Sequence, residues 1–534
     1  MSTRPDTILA ALIANRVETM PDRDVLTVEG AGVRTDEVRT YRQLWENGQR
    51  LAQVLIDQGL HPGEHFALLM ANHAEFIDAM VAASISGTVF VPIDPRTKGD
   101  KLAYMLDHAQ CRGVIAADYA LGNLAAVRGS LKHLSWVIGL ETDEGARPLS
   151  DFSDVLSYRA SWSEQIPELP ILTRDPESPM QLIFTSGTTG DPKGIVMTHL
   201  RYCATSAAVP AMFGCAVDDR PYSGLSLTHA NAQVITLGAS LATGMRAVLS
   251  RRFTKSRLWG ITRKYQCTTF TLLGGMTTAI YSEPTGPDDA DNPVRFVISA
   301  GMPAAIWTNF EQRFNVRIVE FYGAAEGGLT VKPVGAGPVG SIGKPVPTLK
   351  HRIVDDDGND CASGAPGELL FRPVDGSPFK VEYFGNPEAS AQKGKDGWLH
   401  MGDVVREDEN GWLFFEYRKG GGIRHNGEFI NPAPIEKVIA ESGTVDDVYV
   451  YGVKASSGAP GEKDVVAAVV PKRASDFDPQ QVFRRCRAQL EASSVISFLQ
   501  VVPEIPKTAS EKPLERHLVD MFEQRRDSVF TEIQ

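Results

Sequence analysis

The run TSGTTGDPKG, residues 185–194, decides how this chain is read, because hydroxyl side chains, three glycines and a lysine share one short loop. The stretch 181–184 just before it reads as a buried strand and 195–198 just after it as another, so the loop is predicted to join two strands. Glycine lets backbone N–H groups turn toward an anion with no Cβ in the way. Gly187 and Gly190 supply that freedom, Thr185, Ser186, Thr188 and Thr189 add hydroxyl donors, and Lys193 adds charge. An ordinary polar hairpin needs only one or two turn residues, so this loop is read as a cradle for a polyphosphate. It is not the nucleotide P-loop. That pattern, G-x-x-x-x-G-K-S/T, opens a helix, whereas here Gly190 and Lys193 are spaced differently and a strand follows.

Outward from the loop, the chain alternates. Leu44, Leu51 and Leu55 share one face of a helix predicted to stop near Gly59, and 66–70 reads as a buried strand. Asn72 is a candidate cap for a helix with Ile77, Met80 and Val81 facing inward, Gly87 ends it, and a strand follows at 89–92. This is α/β architecture. It continues to about residue 330, where Pro333, Gly335, Gly337, Pro338, Gly340, Gly343, Pro345 and Pro347 mark the short strands and turns of a β-rich subdomain. Beyond Tyr417 come the run 419–422, a helix at 432–441, strands at 448–453 and 465–470, and a helix at 479–490. These predict a small α+β domain with its own core, so the chain divides into 1–417 and 418–534. No internal repeat stands out.

The 534 residues are too long for one core, and 43% hydrophobic content indicates a well-packed globular protein. A net charge of -12 argues against nonspecific nucleic-acid binding, which needs basic patches. Cys111, Cys203, Cys215, Cys267, Cys361 and Cys486 lie far apart without a C-x-x-C or Cys/His cluster, so neither a zinc site nor a disulfide framework is expected. The expected setting is a reducing cytoplasm. The N-terminal segment reads as an amphipathic helix and not a signal peptide, no run has the length of a membrane span, and the closing TEIQ is no peroxisomal address. Oligomeric state is left open, a homo-oligomer included.

Further stretches, in order along the chain, match the loop's character. They are FYGAAEGG at 321–328, GWLHMGDVV at 397–405, YRKGGGIRHNGEFINP at 417–432 and PKTASEKPLER at 506–516. With the loop, this set closely resembles the adenylate-forming superfamily of acyl-CoA synthetases, peptide-synthetase adenylation domains and firefly-type luciferases, and most closely the acid:CoA ligases. The resemblance spans nearly the whole chain. It implies that Tyr322, with Gly323 and Ala324, packs on adenine, that Glu326 helps hold Mg²⁺, and that Asp403 and Arg418 bind the ribose. It puts the catalytic lysine at Lys512. Ala325 stands in place of the family's usual threonine, Met401 in place of another, and Glu511 in place of a glycine.

The same resemblance implies a reaction. A carboxylate attacks the α-phosphorus of ATP, pyrophosphate leaves, and a thiol then takes the acyl group from the adenylate. Lys512, Mg²⁺ near Glu326 and the donors from Thr185 to Lys193 would screen the negative charge. No general base is required for the first step, since a carboxylate is already ionised at neutral pH. The small C-terminal domain would rotate between the steps as a mobile lid on a hinge at 418–422, with Gly420 at its centre. His425, Asn426 and Gly427 would line a pantetheine tunnel, and Arg96 would meet the phosphates of coenzyme A. The expected walls of the acid pocket are 229–233, 274–276, 300–302 and 323–325, including His229 as a gate, Asn231, Gln233, Gly274, Gly275, Gly301 and Ala325. The amide and imidazole groups of THANAQ lean toward a short or polar acid. Three functions stay open: an acid:CoA ligase, an enzyme loading a carrier protein, and a binding protein without catalysis.

Overall fold

The computed structural model describes residues 6–532 except 146, 186–190, 282, 303, 305, 356, 420–422, 427, 431, 458–461, 492–493 and 507–514. Within its helices and strands it leaves aside the side chains of 274, 275, 278, 279, 417, 418, 429, 433, 437, 516 and 526.

Two large sheets carry the first part of the chain. The seven-stranded sheet runs, across its width, Val155–Ser157, Trp136–Leu140, Gly113–Ala117, His65–Leu69, Val89–Ile93, Pro179–Thr185 and Lys193–Thr198. Its neighbours are parallel except the last pair, which is antiparallel and is the pair joined by the glycine-rich loop. The strands Phe66 to Leu69 and Val114 to Ala117 are buried on both faces, as a parallel sheet between helical layers requires. Gly87, in the left-handed conformation at φ 73°, ends the helix Ala74–Ser86 that connects two of them.

The nine-stranded sheet runs Lys344–Pro345, Gly327–Lys332, Arg317–Ala324, Phe296–Ala300, Thr269–Leu273, Pro221–Ser223, Ala247–Leu249, Asp24–Val28 and Glu37–Thr40. Its parallel centre repeats the strand order of the first sheet. In each, a strand connects to its neighbour on one side, the chain crosses back over, and the following strands add on the other side. The strand order thus recurs although no internal repeat is read in the sequence. The expectation of Asn72 as a cap is corrected. His73 occupies the N-cap position, while the Asn72 side chain ties the sheets together by donating to the carbonyls of Leu225 and Ser250, both at 2.8 Å, and accepting from Leu227 N at 2.8 Å.

A four-stranded antiparallel sheet, Leu349–Val354, Gly367–Pro373, Leu399–Glu407 and Leu413–Arg418, follows, as the Gly- and Pro-rich composition predicts. The hairpin Ile423–His425 with Glu428–Ile430 comes next, and then the sheet Val445–Lys454, Lys463–Pro471, Phe498–Val501 and Val529–Phe530. The helices Pro432–Ala440 and Pro479–Gln489 pack on that last sheet around Ile435, Ile439, Val465, Phe483 and Leu499, a core of its own.

Candidate active site

The glycine-rich loop is held at both ends, because Thr185 pairs with Lys193 across the antiparallel strands. Ser186, Gly187, Thr188, Thr189 and Gly190 lie outside the described residues, as do Gly420, Gly427 and Lys512. The open edge of Lys193–Thr198 is covered by the segment 382–384: Val196 N donates to Glu382 O at 2.9 Å and Phe384 N to Gly194 O at 2.8 Å. That pairing fixes Tyr383. Its ring lies 5.4 Å from the Lys193 ammonium, within reach of a cation–π attraction. Its hydroxyl donates to Glu326 Oε1 at 2.7 Å.

Glu326 sits in the tight turn between Arg317–Ala324 and Gly327–Lys332. The turn depends on glycine: a Cβ on Gly323 would stand 2.7 Å from the carbonyl oxygen of Gly328, and Gly328 itself has φ 72°. The helix His199–Phe213 begins with Thr198 accepting from Arg201 N at 3.2 Å, and the half-buried Arg201 guanidinium donates to the Ala325 carbonyl. Burial pushes Arg201 below the usual arginine range, and the negative charge of Glu326 opposes that shift. Tyr383 and Arg201 therefore grip the turn from two sides. Both were missed in the sequence; for Arg201 the available signal was its place directly after the strand that follows the loop.

Tyr322 and Asp403 meet directly: the tyrosine hydroxyl donates to Asp403 Oδ2 at 2.5 Å. Asp403 is also the cross-strand partner of Arg418, whose side chain is outside the description. Met401 points into the core beside Phe371, where its sulfur would be 2.8 Å from a Cβ on Gly328. Its thioether thus packs under the turn.

The acid-pocket candidates follow the carboxyl ends of neighbouring strands of the nine-stranded sheet. His229 follows Pro221–Ser223, Gly274 and Gly275 open the helix Gly274–Tyr281 after Thr269–Leu273, and Gly301 follows Phe296–Ala300. Asn231 starts an eight-residue π-helical stretch, Asn231–Gly238, and its Oδ1 is buried without a partner among the described residues. Gln233 is wholly buried, donates to Leu227 O at 2.5 Å, and supports the loop that carries His229. Gly301, at φ 96°, gives its N–H to Glu320 Oε1 at 2.5 Å, and Met302 N reaches the same carboxylate at 3.1 Å. Glu320 was also missed. Burial pushes its carboxyl up to about 8, against the backbone donors that favour the charged form.

Arg96 is held in a fork by Asp94, with Nε at 2.9 Å and Nη2 at 2.7 Å. Burial raises Asp94, but Arg96 outweighs it and, with a smaller contribution from the nearby His229, holds the carboxyl below its usual range. The charges of Glu428 and Glu491 act on Arg96 from the C-terminal part of the chain. Lys98 Nζ donates to Arg487 O at 3.3 Å and Lys101 Nζ pairs with Glu491 at 3.0 Å. Arg96 and the hairpin carrying His425 are thus neighbours. His425 Nδ1–H donates to Lys463 O at 2.7 Å, and Asn426 turns the hairpin at φ 52°.

Among the described residues no group of three or more His, Cys, Asp and Glu could hold an ion by itself. A single carboxylate suits Mg²⁺ bound mainly to phosphate and water oxygens. Glu326 fits that demand, since Tyr383 occupies one of its oxygens and no other donor among the described residues takes the second.

Residues 13–374 match the family of AMP-binding enzymes and 434–512 match its C-terminal domain, so the chain belongs to that family. It is 28% identical over 457 residues, 85% of this chain and 86% of the other, to a medium/long-chain-fatty-acid–CoA ligase of Mycobacterium marinum. It is 27% identical over 492 residues, 90% of this chain and 92% of the other, to a crotonobetaine/carnitine–CoA ligase of Salmonella paratyphi A. The amide bond synthetase from Marinactinospora thermotolerans shares its fold, with a TM-score of 0.82 and 23% identity over 96% of this chain and 99% of that one. The enzyme is an AMP-forming acyl-CoA synthetase. Among the described residues no helix is long and apolar enough to cross a membrane.

Proposed function

We propose that this enzyme joins a short or polar carboxylic acid to coenzyme A through an acyl-adenylate, with Mg²⁺ as cofactor. The observation that carries the reading is the convergence of Lys193, Tyr383 and Glu326 at the ends of the phosphate loop, next to a turn whose Tyr322 is bonded to Asp403. The acid's carboxylate attacks the α-phosphorus, and pyrophosphate departs. Lys193 and the loop donors neutralise the phosphates, Lys512 screens the pentavalent centre, and Asp403 with Arg418 accepts and orients the ribose. Mg²⁺ would bind at Glu326 and supply charge neutralisation on the phosphate oxygens. The thiol of coenzyme A then attacks the acyl carbon and AMP leaves.

Units 1–417 and 418–534 act as a body and a lid, with Gly420 in the hinge, His425, Asn426 and Gly427 on the thiol's approach, and Arg96 facing the coenzyme A phosphates. Acid selectivity is assigned to His229, Asn231 and the 300–302 wall. The buried, unpartnered Asn231 Oδ1 supports a polar acid, because a hydroxyl or N–H on the substrate would satisfy it. A reducing cytoplasm belongs to the same reading, and Cys111, Cys203, Cys267 and Cys486 are buried free thiols. The test is ATP–pyrophosphate exchange across short, hydroxylated, aromatic and medium-chain acids, paired with AMP release with and without coenzyme A. Exchange confined to medium-chain acids overturns the polar preference. AMP release indifferent to coenzyme A overturns the acceptor.

A further inference from the structure

The parallel pairing of Phe296–Ala300 with Arg317–Ala324 ends at Ser299 and Glu320. Beyond that last pair Gly301 turns the chain at φ 96°, a backbone conformation that favours glycine. The N–H groups of the turn then find their acceptor on a side chain. Gly301 N donates to Glu320 Oε1 at 2.5 Å, and Met302 N reaches Oε1 at 3.1 Å and Oε2 at 3.2 Å. The Glu320 carboxyl group thus carries the contact between the two strands past the point where their backbones part.

Glu320 is only 2% exposed, and its cross-strand neighbour Lys332 directs its ammonium to the Trp307 ring, 4.4 Å from the centroid. Burying a carboxyl group costs free energy unless hydrogen bonds offset it, and here the backbone bonds converge on one turn. That turn belongs to the 300–302 wall assigned to the acid. The strand that holds it leads to the nucleotide side: Tyr322, two residues on and on the same face, is bonded to Asp403.

The two ends of the tie are unequally fixed. Arg317–Ala324 is paired on both edges, parallel on one and antiparallel on the other. The turn at 301–302 has passed its last ladder pair and keeps, besides Glu320, the Met302 side chain packed in the apolar cluster of Trp307 and Phe310. Cutting the tie therefore shifts the wall and leaves the nucleotide strand in place.

We infer that Glu320 is a positioning residue for acyl-adenylate formation, holding the 301–302 turn where the acid's carboxylate lines up with the α-phosphorus. This role rests on the 300–302 wall meeting the acid, as proposed above, and names the group that fixes that wall. A displacement of about 1 Å in such an alignment can lower a rate by about 10²-fold.

The test is ATP–pyrophosphate exchange by the full chain and by Glu320→Gln, Glu320→Asp and Glu320→Leu, with kcat and the KM values for acid and ATP read separately and Tm measured beside them. Glutamine keeps an oxygen for both N–H groups at the same reach, so that variant should stay within about threefold of wild type. Aspartate is one methylene short and leucine has no acceptor. Both should raise the KM for the acid by about tenfold or more and leave the KM for ATP within about twofold. Should Glu320→Leu fail to fold, Glu320→Asp decides. A fall in kcat with both KM values unchanged overturns the inference, since it makes Glu320 purely structural. So does a rise confined to the KM for ATP, which gives the turn to the nucleotide, or a Glu320→Gln variant as impaired as Glu320→Asp. Wild-type exchange with an acid whose KM none of the variants alters overturns this role alone, whereas no wild-type exchange with any acid overturns the acid reading of the wall and this role with it.

Discussion

The Tyr383 hydroxyl donates to Glu326 Oε1 at 2.7 Å while the face of the same ring lies 5.4 Å from the Lys193 ammonium. One side chain therefore couples the end of the phosphate loop to the carboxylate proposed for Mg²⁺. A hydrogen bond to a charged group contributes about 1.5–3 kcal/mol, so Tyr383→Phe should lower pyrophosphate exchange by roughly tenfold or more. The ring and its contact with Lys193 remain in that variant. The expected signature is a raised Mg²⁺ requirement with a nearly unchanged KM for the acid, read by titrating Mg²⁺ at saturating ATP. An equal fall at every Mg²⁺ concentration would remove Tyr383 from the positioning of Glu326.

Arg201 acts on the same turn from beneath. It is half-buried and its donor bond goes to the Ala325 carbonyl, with Glu326 as the nearby countercharge. Desolvation of the guanidinium works against its bond to the Ala325 carbonyl and its attraction to Glu326, so Arg201→Met should change Tm little. Activity should fall far more, since the turn loses its anchor and the site a positive charge. We expect exchange to fall at least about tenfold with the protein still folded, checked by calorimetry beside the exchange assay. A parallel loss of Tm and activity would make Arg201 purely structural.

Glu320 gives the protein a pH dependence whose sign is opposite to that of a salt-bridged carboxylate. Burial is the main cause that pushes its carboxyl up to about 8 in the folded chain, from an ordinary 4.5. Between those values the folded chain binds more protons than the unfolded one, so stability falls as pH rises from about 4.5 to about 8, and the loss is complete above. Glu320→Gln keeps an oxygen for Gly301 N and Met302 N but cannot ionise. Its Tm should be flatter than wild type across this window and higher at pH 9. Tm profiles that run parallel would place the proton elsewhere.

What was legible in the sequence was local. The strands on either side of the glycine-rich loop each centre on a short apolar run, 182–184 and 195–197, and Gly87 is a left-handed helix stop that only glycine fills without strain, so both were predictable from neighbours alone. Asn72 misleads for the converse reason: it has the composition of a cap, but its partners at Leu225 and Ser250 are far along the chain. Tyr383 and Glu320 were invisible in the same way, and Arg201 was marked only by its place after the strand that follows the loop. Each acts on a residue brought close only by sheet pairing or a helix docking across the site, and no periodicity marks such a contact. The Tyr322–Asp403 bond joins two residues that family resemblance had singled out separately.

The contact between Lys101 and Glu491, at 3.0 Å, together with Lys98 on the Arg487 carbonyl, sets the C-terminal unit against the helix Gly99–His108. In this arrangement Arg96 feels the charge of Glu428 on the hairpin beside His425 and Asn426, the elements assigned to coenzyme A. In the reading proposed above, the contact belongs to the thioester-forming orientation of the lid and should be lost in the adenylating one. An exposed ion pair contributes at most about 1 kcal/mol, so the effect is modest. Lys101→Glu should slow coenzyme A-dependent AMP release about threefold and leave pyrophosphate exchange within experimental error. Pairing it with Glu491→Lys restores the attraction with reversed signs, and the double variant should recover the lost rate. Exchange and AMP release falling together would mean that the contact holds both orientations, and failure of the charge reversal to rescue would assign the effect to Lys101 alone.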